Sequence, residues 1–154
     1  MPPILSIAEV DRPADEVFAY VTDPARFPEW QAGVVSGHMD GGGTGVGARC
    51  ISVRRIGGAE RASTSELTKI EPPTSWAVHG IDGPIRAIVD VMVAPLDAGA
   101  RSRVTITLDF EGHGIGRLLV PLIVRRQARN EMPANTQRLK KRLEGGTTAR
   151  APSP

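Results

Sequence analysis

The sequence predicts an α+β domain in which one curved antiparallel sheet of seven strands packs against a long C-terminal helix. From about residue 34 to residue 110, β-branched runs separated by Gly, Pro and Asp clusters indicate a meander of antiparallel strands. From about residue 115 onward, apolar residues recur at the spacing of a helix. A chain of 154 residues with 40% hydrophobic and 23% charged residues suits one such domain, and this composition argues against a disordered or fibrous protein.

One strand and two short helices are expected before the meander. Residues 3–10 alternate in polarity, which predicts the first strand. Pro13 suits the start of a helix, and an apolar stripe at helical spacing follows it, so a helix is expected over residues 14–22. Residues 25–30 are long enough only for a second, short helix or turn.

The meander is expected to contain six strands, and alternation predicts which face of the last two is buried. Their approximate ranges are 32–39, 46–56, 59–70, 75–81, 85–94 and 102–111. In the last strand Val104 and Ile106 begin an apolar face that continues to Phe110. In the strand before it, Val91 belongs to the apolar face and Asp90 is expected to face water. The sheet should therefore have one dry side.

The C-terminal helix is expected to run to about Glu144, interrupted at Pro121 and Pro133, with a kink or a new start at the first of these prolines. A glycine pair should end it, which assigns residues 1–144 to a single ligand-binding domain and residues 145–154 to a mobile tail rich in Pro, Ser and Ala. One helix across the concave face of a curved sheet cannot fill the space between them. We therefore expect an internal cavity.

Composition argues against several classes of protein. No apolar run approaches the roughly 18 residues of a membrane span, and the N-terminus lacks the features of a secretory signal, so a cytoplasmic protein is expected. Cys50 is the single cysteine, and the three histidines are scattered, so neither a disulfide nor a metal site is expected. The glycine-rich segment 41–47 is not followed by the Gly-Lys-Ser/Thr of a phosphate-binding loop. No cofactor is predicted.

Basic residues are concentrated near the C-terminus. Residues 117–144 hold eight Lys/Arg against two acids, a net charge of +6, whereas residues 1–116 carry −5. Such asymmetry can mark a surface for nucleic acid or a membrane. Only Arg125, Arg126 and Arg129 form a dense stretch, however, and no aromatic side chain is interleaved for stacking on bases. A solvated helix face is the simpler interpretation, nucleic acid is not expected as a partner, and the oligomeric state, a homodimer included, is left open.

Seven short segments together carry a resemblance to a known family. They are residues 12–24 (RPADEVFAYVTDP), 28–30 (PEW), 45–47 (GVG), 66–68 (ELT), 71–73 (EPP), 83–84 (GP) and 139–144 (LKKRLE). With these segments the chain resembles the START-like or SRPBCC superfamily, and specifically its polyketide cyclase/dehydrase branch of small bacterial proteins. The resemblance implies the helix-grip fold, with a hydrophobic ligand pocket under the C-terminal helix. The superfamily includes aromatase/cyclases and lipid and hormone carriers, and it shares no universal catalytic motif.

Two tryptophans are the leading candidates for contact with a ligand. Trp30 and Trp76 belong to a chain with only six aromatic residues, and a flat side chain beside a cavity can stack on a planar ligand, although either residue can also be simple core. Trp30 is preferred, because by resemblance it follows the helix that caps one end of the pocket. The other candidate ligand contacts are Tyr20, Arg49, Thr64, Val78, Val91 and Leu122.

Glu66 and His79 are the candidate catalytic residues. A buried carboxylate at Glu66 would need a raised pKa or a partner, for which Arg49, Arg54 and Arg61 are the candidates, and a surface pair across the strands is the alternative. His79 alternates with Trp76 and Val78, so it faces outward if those two face the cavity. A bulge that reversed this parity would let His79 transfer protons near neutral pH.

Three functions remain compatible with the sequence. The favoured one is binding of a hydrophobic, polyketide-like or lipid-like small molecule, with a cyclase/dehydrase as its enzymatic form. In that form Glu66 or His79 would remove a proton between carbonyls, and Arg49, Thr64 or Tyr20 would stabilise the enolate. The second is a carrier or sensor that uses the same cavity without conversion. The third is an interaction protein whose basic C-terminal helix meets nucleic acid or an acidic partner.

Overall fold

A computed structural model describes residues 2–56 and 58–150, and within them the chain forms one seven-stranded antiparallel sheet. The strands are β1 (Ile4–Val10), β2 (Val34–Met39), β3 (Arg49–Ile56), β4 (Ala59–Glu71), β5 (Ser75–Gly80), β6 (Ile85–Leu96) and β7 (Arg101–Gly112). Their order across the sheet is β1-β7-β6-β5-β4-β3-β2, and every neighbouring pair is antiparallel. Strands β2 to β7 therefore form the predicted meander, and β1 returns to pair with β7.

Helical segments lie before and after the meander. They are α1 (Ala14–Val21), a 3-10 turn (Pro24–Arg26), α2 (Phe27–Trp30), α3 (Gly116–Leu119), a π-helical turn (Val120–Val124) and α4 (Arg125–Arg150). Helix α1 begins directly after Pro13, which fits the fixed backbone of proline, and its buried face supplies Val17, Phe18 and Val21 to the core. This order confirms the prediction of a strand, two short helices, six strands and a long helical segment.

The largest strand boundary error falls at β3. The prediction began this strand at residue 46, but it begins at Arg49. Gly47 adopts a φ of +91°, and the amide of Ala48 donates to the carbonyl of Gly45, so the chain is still turning there. Val46 reads as a strand residue by type but is 68% exposed.

The C-terminal helical segment differs from the prediction in two respects. Pro121 neither ends the helix nor simply bends it, because the chain passes it in the wider π-helical turn. Pro133 lies inside α4 without breaking it. The helix also continues to Arg150, whereas the prediction ended it at Glu144, because glycine costs a helix only about 1 kcal/mol relative to alanine. Residues 151–154 of the predicted tail lie outside the described residues.

The two faces of the sheet are clearly different. On the inner face, which packs against α1 and α4, Val91 and Val104 are almost fully buried, whereas Met92 on the outer face is 59% exposed. This arrangement confirms the predicted dry side. From α4, Leu139 is completely buried and Leu143 is buried beside it in the same core. None of the described helices combines the length and the apolar composition needed to cross a membrane.

Candidate ligand pocket

A pocket of about 190 Å³ lies between the inner face of the sheet and α4. Its apolar wall comes mainly from β5, β6 and β7, whose long alternating runs direct one apolar side chain in two towards the pocket. These strand residues are Val78, Val89, Val91, Ile106, Leu108 and Phe110. Val124, Ala128 and Met132 of the helical segment cover them at a spacing of four residues, which places all three on one helix face.

Three aromatic side chains contribute to the pocket wall. Phe27 contacts Trp30 edge to face at a centroid distance of 6.1 Å, and it contacts Trp76 in the same way at 6.3 Å. Both tryptophans are about 95% buried. The Nε1 donor of Trp30 is buried without a hydrogen-bond partner among the described residues, which is unusual for a buried indole. The aromatic cluster closes the pocket on the side of α2.

The opposite wall of the pocket is polar and comes from β3 and β4. Cys50 and Ser52 are buried on the inner face, and alternation places Arg54 on that face as well. Directly paired residues of adjacent strands share a face. The pairs here are Cys50 with Ser65, Ser52 with Ser63 and Arg54 with Arg61. The pocket is therefore polarised, with hydroxyl and guanidinium groups on one side and aliphatic and aromatic side chains on the other.

Arg54 is the most unusual residue of the polar wall. Burial lowers the pKa of its guanidinium below the ordinary value, and the charges of Cys50 and Glu131 act in the opposite direction. The group nevertheless stays charged at neutral pH, because an arginine is not deprotonated in proteins. Within residues 2–56 and 58–150 the structure gives Arg54 no ion pair or hydrogen bond, and Glu131 instead accepts a hydrogen bond of 3.1 Å from Gln127. A partly buried cation therefore faces the pocket, and the described residues leave its donors available.

Cys50 is not a candidate nucleophile. Burial raises the pKa of its thiol to about 11, and the charge of Arg54 only partly opposes this. The thiolate is the reactive form of cysteine, so a raised pKa leaves the group inert near neutral pH. Among the described residues no three His, Cys, Asp or Glu side chains are grouped so that they could hold a metal ion.

The opening of the pocket lies at one end of the sheet. The exposed residues of its wall are Arg55, Arg61 and Ala62 from strands β3 and β4 beside their hairpin, and Asp82 and Gly83 from the β5–β6 loop. Arg54 pairs with Arg61 close to this hairpin, so the cation lies near the opening. The aromatic cluster of α2 and β5 forms an almost fully buried part of the wall.

Four of the predicted ligand contacts lie on the pocket side of the structure and line it: Trp30, Trp76, Val78 and Val91. Thr64 also borders the pocket, but its pairing with Ile51 places its side chain on the outer face of the sheet. Tyr20 does not line the pocket, because its hydroxyl donates to Glu29 at 2.8 Å and its ring stacks under the guanidinium of Arg26. Partial burial of the Tyr20 phenol, and its hydrogen bond to Glu29, raise the pKa of that group. Leu122 also misses the pocket and is 68% exposed. The π-helical turn directs its neighbour Val124 inward and leaves Leu122 in solvent.

Glu66, His79 and Arg49 lie on the outer face of the sheet, away from the pocket. Glu66 pairs directly with Arg49 on β3 and with His79 on β5, so the three side chains share one face. His79 Nε2 lies 2.9 Å from Oε1 of Glu111, and that contact lowers the pKa of the Glu111 carboxyl. The register shift in β4 falls beyond Leu67 and does not turn Glu66 inward. The predicted acid–base residues are thus not brought to the pocket.

The comparisons with known proteins agree with this architecture. The sequence model of the family described as polyketide cyclase / dehydrase and lipid transport matches residues 6–144. The chain belongs to this family. The match confirms the resemblance to the START-like superfamily. No protein of curated function matches the chain in sequence.

Solved structures of the same superfamily show the helix-grip fold. A protein from Thermus thermophilus is 19% identical and superimposes with a TM-score of 0.74, covering 97% of this chain and 100% of its own. The Zhui aromatase/cyclase from Streptomyces sp. R1128 is 15% identical, with a TM-score of 0.69 and coverage of 94% and 96%. A START superfamily protein from Mycobacterium smegmatis is 14% identical, with a TM-score of 0.68 and coverage of 97% and 99%. At these identities the likeness shows the fold alone.

Some pocket residues of this polyketide cyclase/dehydrase family member were missed by sequence reasoning. Arg54 was considered only as a partner for Glu66, although it stands two and four residues from Ser52 and Cys50 and so shares their face. Gln127 and Glu131 flank the apolar helix stripe at helical spacing, and both line the pocket. The strand parity and the helix spacing that would have indicated these residues are present in the sequence.

Proposed function

We propose that this protein binds a hydrophobic small molecule with one acidic end in the pocket between the sheet and α4. Membership of the family supports a hydrophobic ligand. The polarity of the pocket wall supports the finer proposal, because Arg54 pairs with Arg61 close to the exposed β3–β4 hairpin, whereas the aromatic side chains of the wall are almost fully buried. The apolar part of the ligand would lie against Trp76 and Val91, and its acidic group would accept hydrogen bonds from Arg54.

The size of the pocket limits the ligand. A volume of about 190 Å³ is below the roughly 300 Å³ at which sites for drug-sized ligands begin. A medium-chain fatty acid or a small aromatic acid fits this volume better than a long lipid. The partly buried guanidinium of Arg54 adds selectivity for an acid over an alcohol, because a hydrogen bond to a charged group contributes about 1.5–3 kcal/mol.

The experiment compares octanoic acid with 1-octanol, a pair that differs at the end group. Trp30 and Trp76 are the two tryptophans of the chain and both line the pocket, so their fluorescence reports binding. We expect the acid to bind roughly 10- to 100-fold more tightly than the alcohol. Arg54→Met should remove this preference and leave the affinity for the alcohol unchanged.

Arg49→Met is the matched control, because it removes an arginine from the same strand on its outer face. It should leave both affinities at the wild-type value. Equal affinities of the wild-type protein for the acid and the alcohol would refute the acidic-end proposal. Failure of both compounds to bind would refute the pocket function at this ligand size.

A cyclase activity is the second candidate, and it is favoured by Glu131 in the pocket wall near Arg54. A carboxylate beside a guanidinium can remove a proton between two carbonyls and stabilise the enolate. Exchange of the central protons of 2,4-octanedione with D₂O, followed by NMR, tests this step. Cyclase-type activity predicts that the protein exchanges these protons faster than buffer alone does. Glu131→Gln should abolish this acceleration, and Glu66→Gln, on the outer face, should leave it unchanged. Without such a rate, the carrier function stands alone.

A further inference from the structure

An exposed aliphatic patch lies on the segment that joins β7 to α4. Its members are Ile115, Leu118, Leu122 and Ile123, which are 66%, 65%, 68% and 48% exposed. Single exposed aliphatic residues are ordinary, but four within nine residues form a continuous apolar surface of the kind that marks an interaction site. Among the other large exposed hydrophobic side chains of the described residues, Leu5, Ile7 and Met92 share the outer face of the sheet, where Ile7 and Met92 both lie beside Thr105, and Val35 and Val46 lie elsewhere.

The local fold holds this patch in the exposed position. Val120 and Val124 are buried on the inner side of the π-helical turn and fasten the segment to the domain. Because these two residues face inward, Leu118 and Leu122 face away from the core. Pro121 stabilises the wider turn, since it has no amide hydrogen to contribute to a regular helix.

The patch borders the opening of the pocket. Gly116 packs so closely on the β5–β6 loop that a Cβ built on it would lie 1.8 Å from the carbonyl oxygen of Pro84. The same oxygen accepts a hydrogen bond of 2.9 Å from the amide of His113. Gly83 and Pro84 are themselves part of the pocket wall. A surface bound to the patch would therefore lie beside the route into the pocket.

Arginines adjoin the patch along the chain, in the stretch between Glu111 and Glu131. Residues 112–130 contain four arginines and no Asp or Glu. Arg125 is buried against Asp109, whereas Arg117, Arg126 and Arg129 are exposed and make no ion pair with any residue that the structure describes. Exposed aliphatic side chains flanked by cations are the pattern of a segment that lies in the interface of an anionic bilayer.

We propose that the aliphatic patch and its three exposed arginines dock the protein on a bilayer that contains anionic lipids. The opening of the pocket then lies at the bilayer surface, and the ligand passes between bilayer and pocket; this last step rests on the proposed ligand-binding function. Each cation near such a surface raises the partition coefficient about fivefold, so the three together give roughly a hundredfold preference for anionic vesicles. A second copy of the chain fits the patch less well, because a symmetric contact would bring the arginines of both copies together.

Flotation of the full chain with vesicles tests the proposal. One set of vesicles is phosphatidylcholine alone, and the other contains phosphatidylglycerol as well. We expect binding to the anionic vesicles, little binding to the neutral ones, and release at about 0.5 M salt, where charges are screened. Leu118→Ser with Leu122→Ser should reduce binding at least tenfold, and Arg126→Gln with Arg129→Gln should do the same.

Matched controls separate docking from a general loss of apolar surface or charge. Leu5→Ser with Met92→Ser removes two side chains that are 60% and 59% exposed on the outer face of the sheet. Lys69→Gln with Lys141→Gln removes two exposed cations away from the patch. Both control variants should float like the wild-type protein. Equal losses in control and patch variants, or no binding to anionic vesicles, would overturn the proposal.

Two further measurements distinguish membrane docking from a subunit interface and from ligand binding in the pocket. If sedimentation shows a dimer that the paired leucine substitutions dissociate, and the chain does not bind vesicles, the patch is a subunit interface and the proposal is wrong. Binding of octanoic acid in the absence of vesicles should be unchanged in the leucine variant, whereas Arg54→Met should weaken that binding roughly 10- to 100-fold and still float. The pocket function and the docking surface can therefore fail independently.

Discussion

The contact between Gly116 and Pro84 determines where the α3 segment lies, and Gly116→Ala tests it. The added Cβ would lie 1.8 Å from the carbonyl oxygen of Pro84 and 2.6 Å from its carbonyl carbon. Atoms in ordinary contact are separated by about 3.5 Å or more, so one backbone segment must move away from the other by more than an ångström. No flexible side chain can absorb this displacement, because both nearest atoms belong to the backbone.

The expected loss of stability follows from two opposing contributions. Overpacking costs about 1–3 kcal/mol, and contact with the backbone places this site at the upper end of that range. Alanine returns about 1 kcal/mol through its higher helix propensity, which leaves a net loss of about 2 kcal/mol. For a domain of this size, about 1 kcal/mol lowers Tm by about 2–4 °C, so Gly116→Ala should lower Tm by roughly 4–8 °C.

Thermal unfolding followed by circular dichroism measures this effect, with Gly45→Ala as the control. A Cβ at Gly45 would meet no atom within 4 Å, and its φ lies outside the left-handed region, so its free energy of unfolding should change by at most about 0.5 kcal/mol. Gly116→Ala should also weaken binding of octanoic acid, because Pro84 lines the pocket. A Tm of Gly116→Ala equal to that of the control would refute the close packing of α3 on the β5–β6 loop.

Two further predictions concern a buried thiol and an outer-face carboxylate. Because burial raises the pKa of Cys50 to about 11, iodoacetamide should modify the folded protein at least about 100-fold more slowly at pH 8 than the urea-unfolded chain, and equal rates would contradict the burial. The hydrogen bond from Arg103, the largest effect, and the nearby charges of Arg101 and Lys140 lower the pKa of Glu9. Its interactions therefore stabilise the fold above the pKa of the unfolded carboxyl, about 4.3, and this contribution is lost as pH falls through the lower folded value. Glu9→Gln should be less stable than the wild-type protein at neutral pH, and urea titrations should show the difference narrowing below about pH 4; a difference independent of pH would count against the assignment.

The fold was predictable because its signals are local and repeated. Strand β7 alternates from Val104 to Phe110, and β6 alternates around Val91, so both buried faces follow from the order of residues alone. The position of Glu66 was not predictable in the same way. Strand β4 carries small or polar residues on both faces from Ala62 to Ser65, so alternation does not identify the inner face, which is fixed by pairing with Cys50 on β3.

The error at Leu122 has a different physical origin. Pro121 was recognised as an interruption of the helix, but a π-helical turn adds a residue to the turn and rotates every side chain around it relative to a regular helix. The prediction from periodicity assumes a constant angle per residue, and that angle changes in the π-helical turn. Val120 and Val124 are therefore buried, and Leu122 is exposed. The aliphatic patch is a consequence of this rotation, so helical periodicity could not predict that these side chains are exposed.

Arg54 connects the stability of the empty protein to its proposed function. A partly buried guanidinium without an ion pair opposes folding to the extent that burial removes its hydration, and the charge of Glu131 offsets part of this cost. An aliphatic residue would fill the same wall of the pocket without that cost, so the position is explained better by binding than by stability. An acidic ligand would supply the missing partner at Arg54 near the opening, while its apolar part replaces solvent against Trp76. The protein without ligand would then be less stable than the complex. A bilayer surface offers the ligand both an apolar phase and polar headgroups, as the pocket does, so the ligand could be released there.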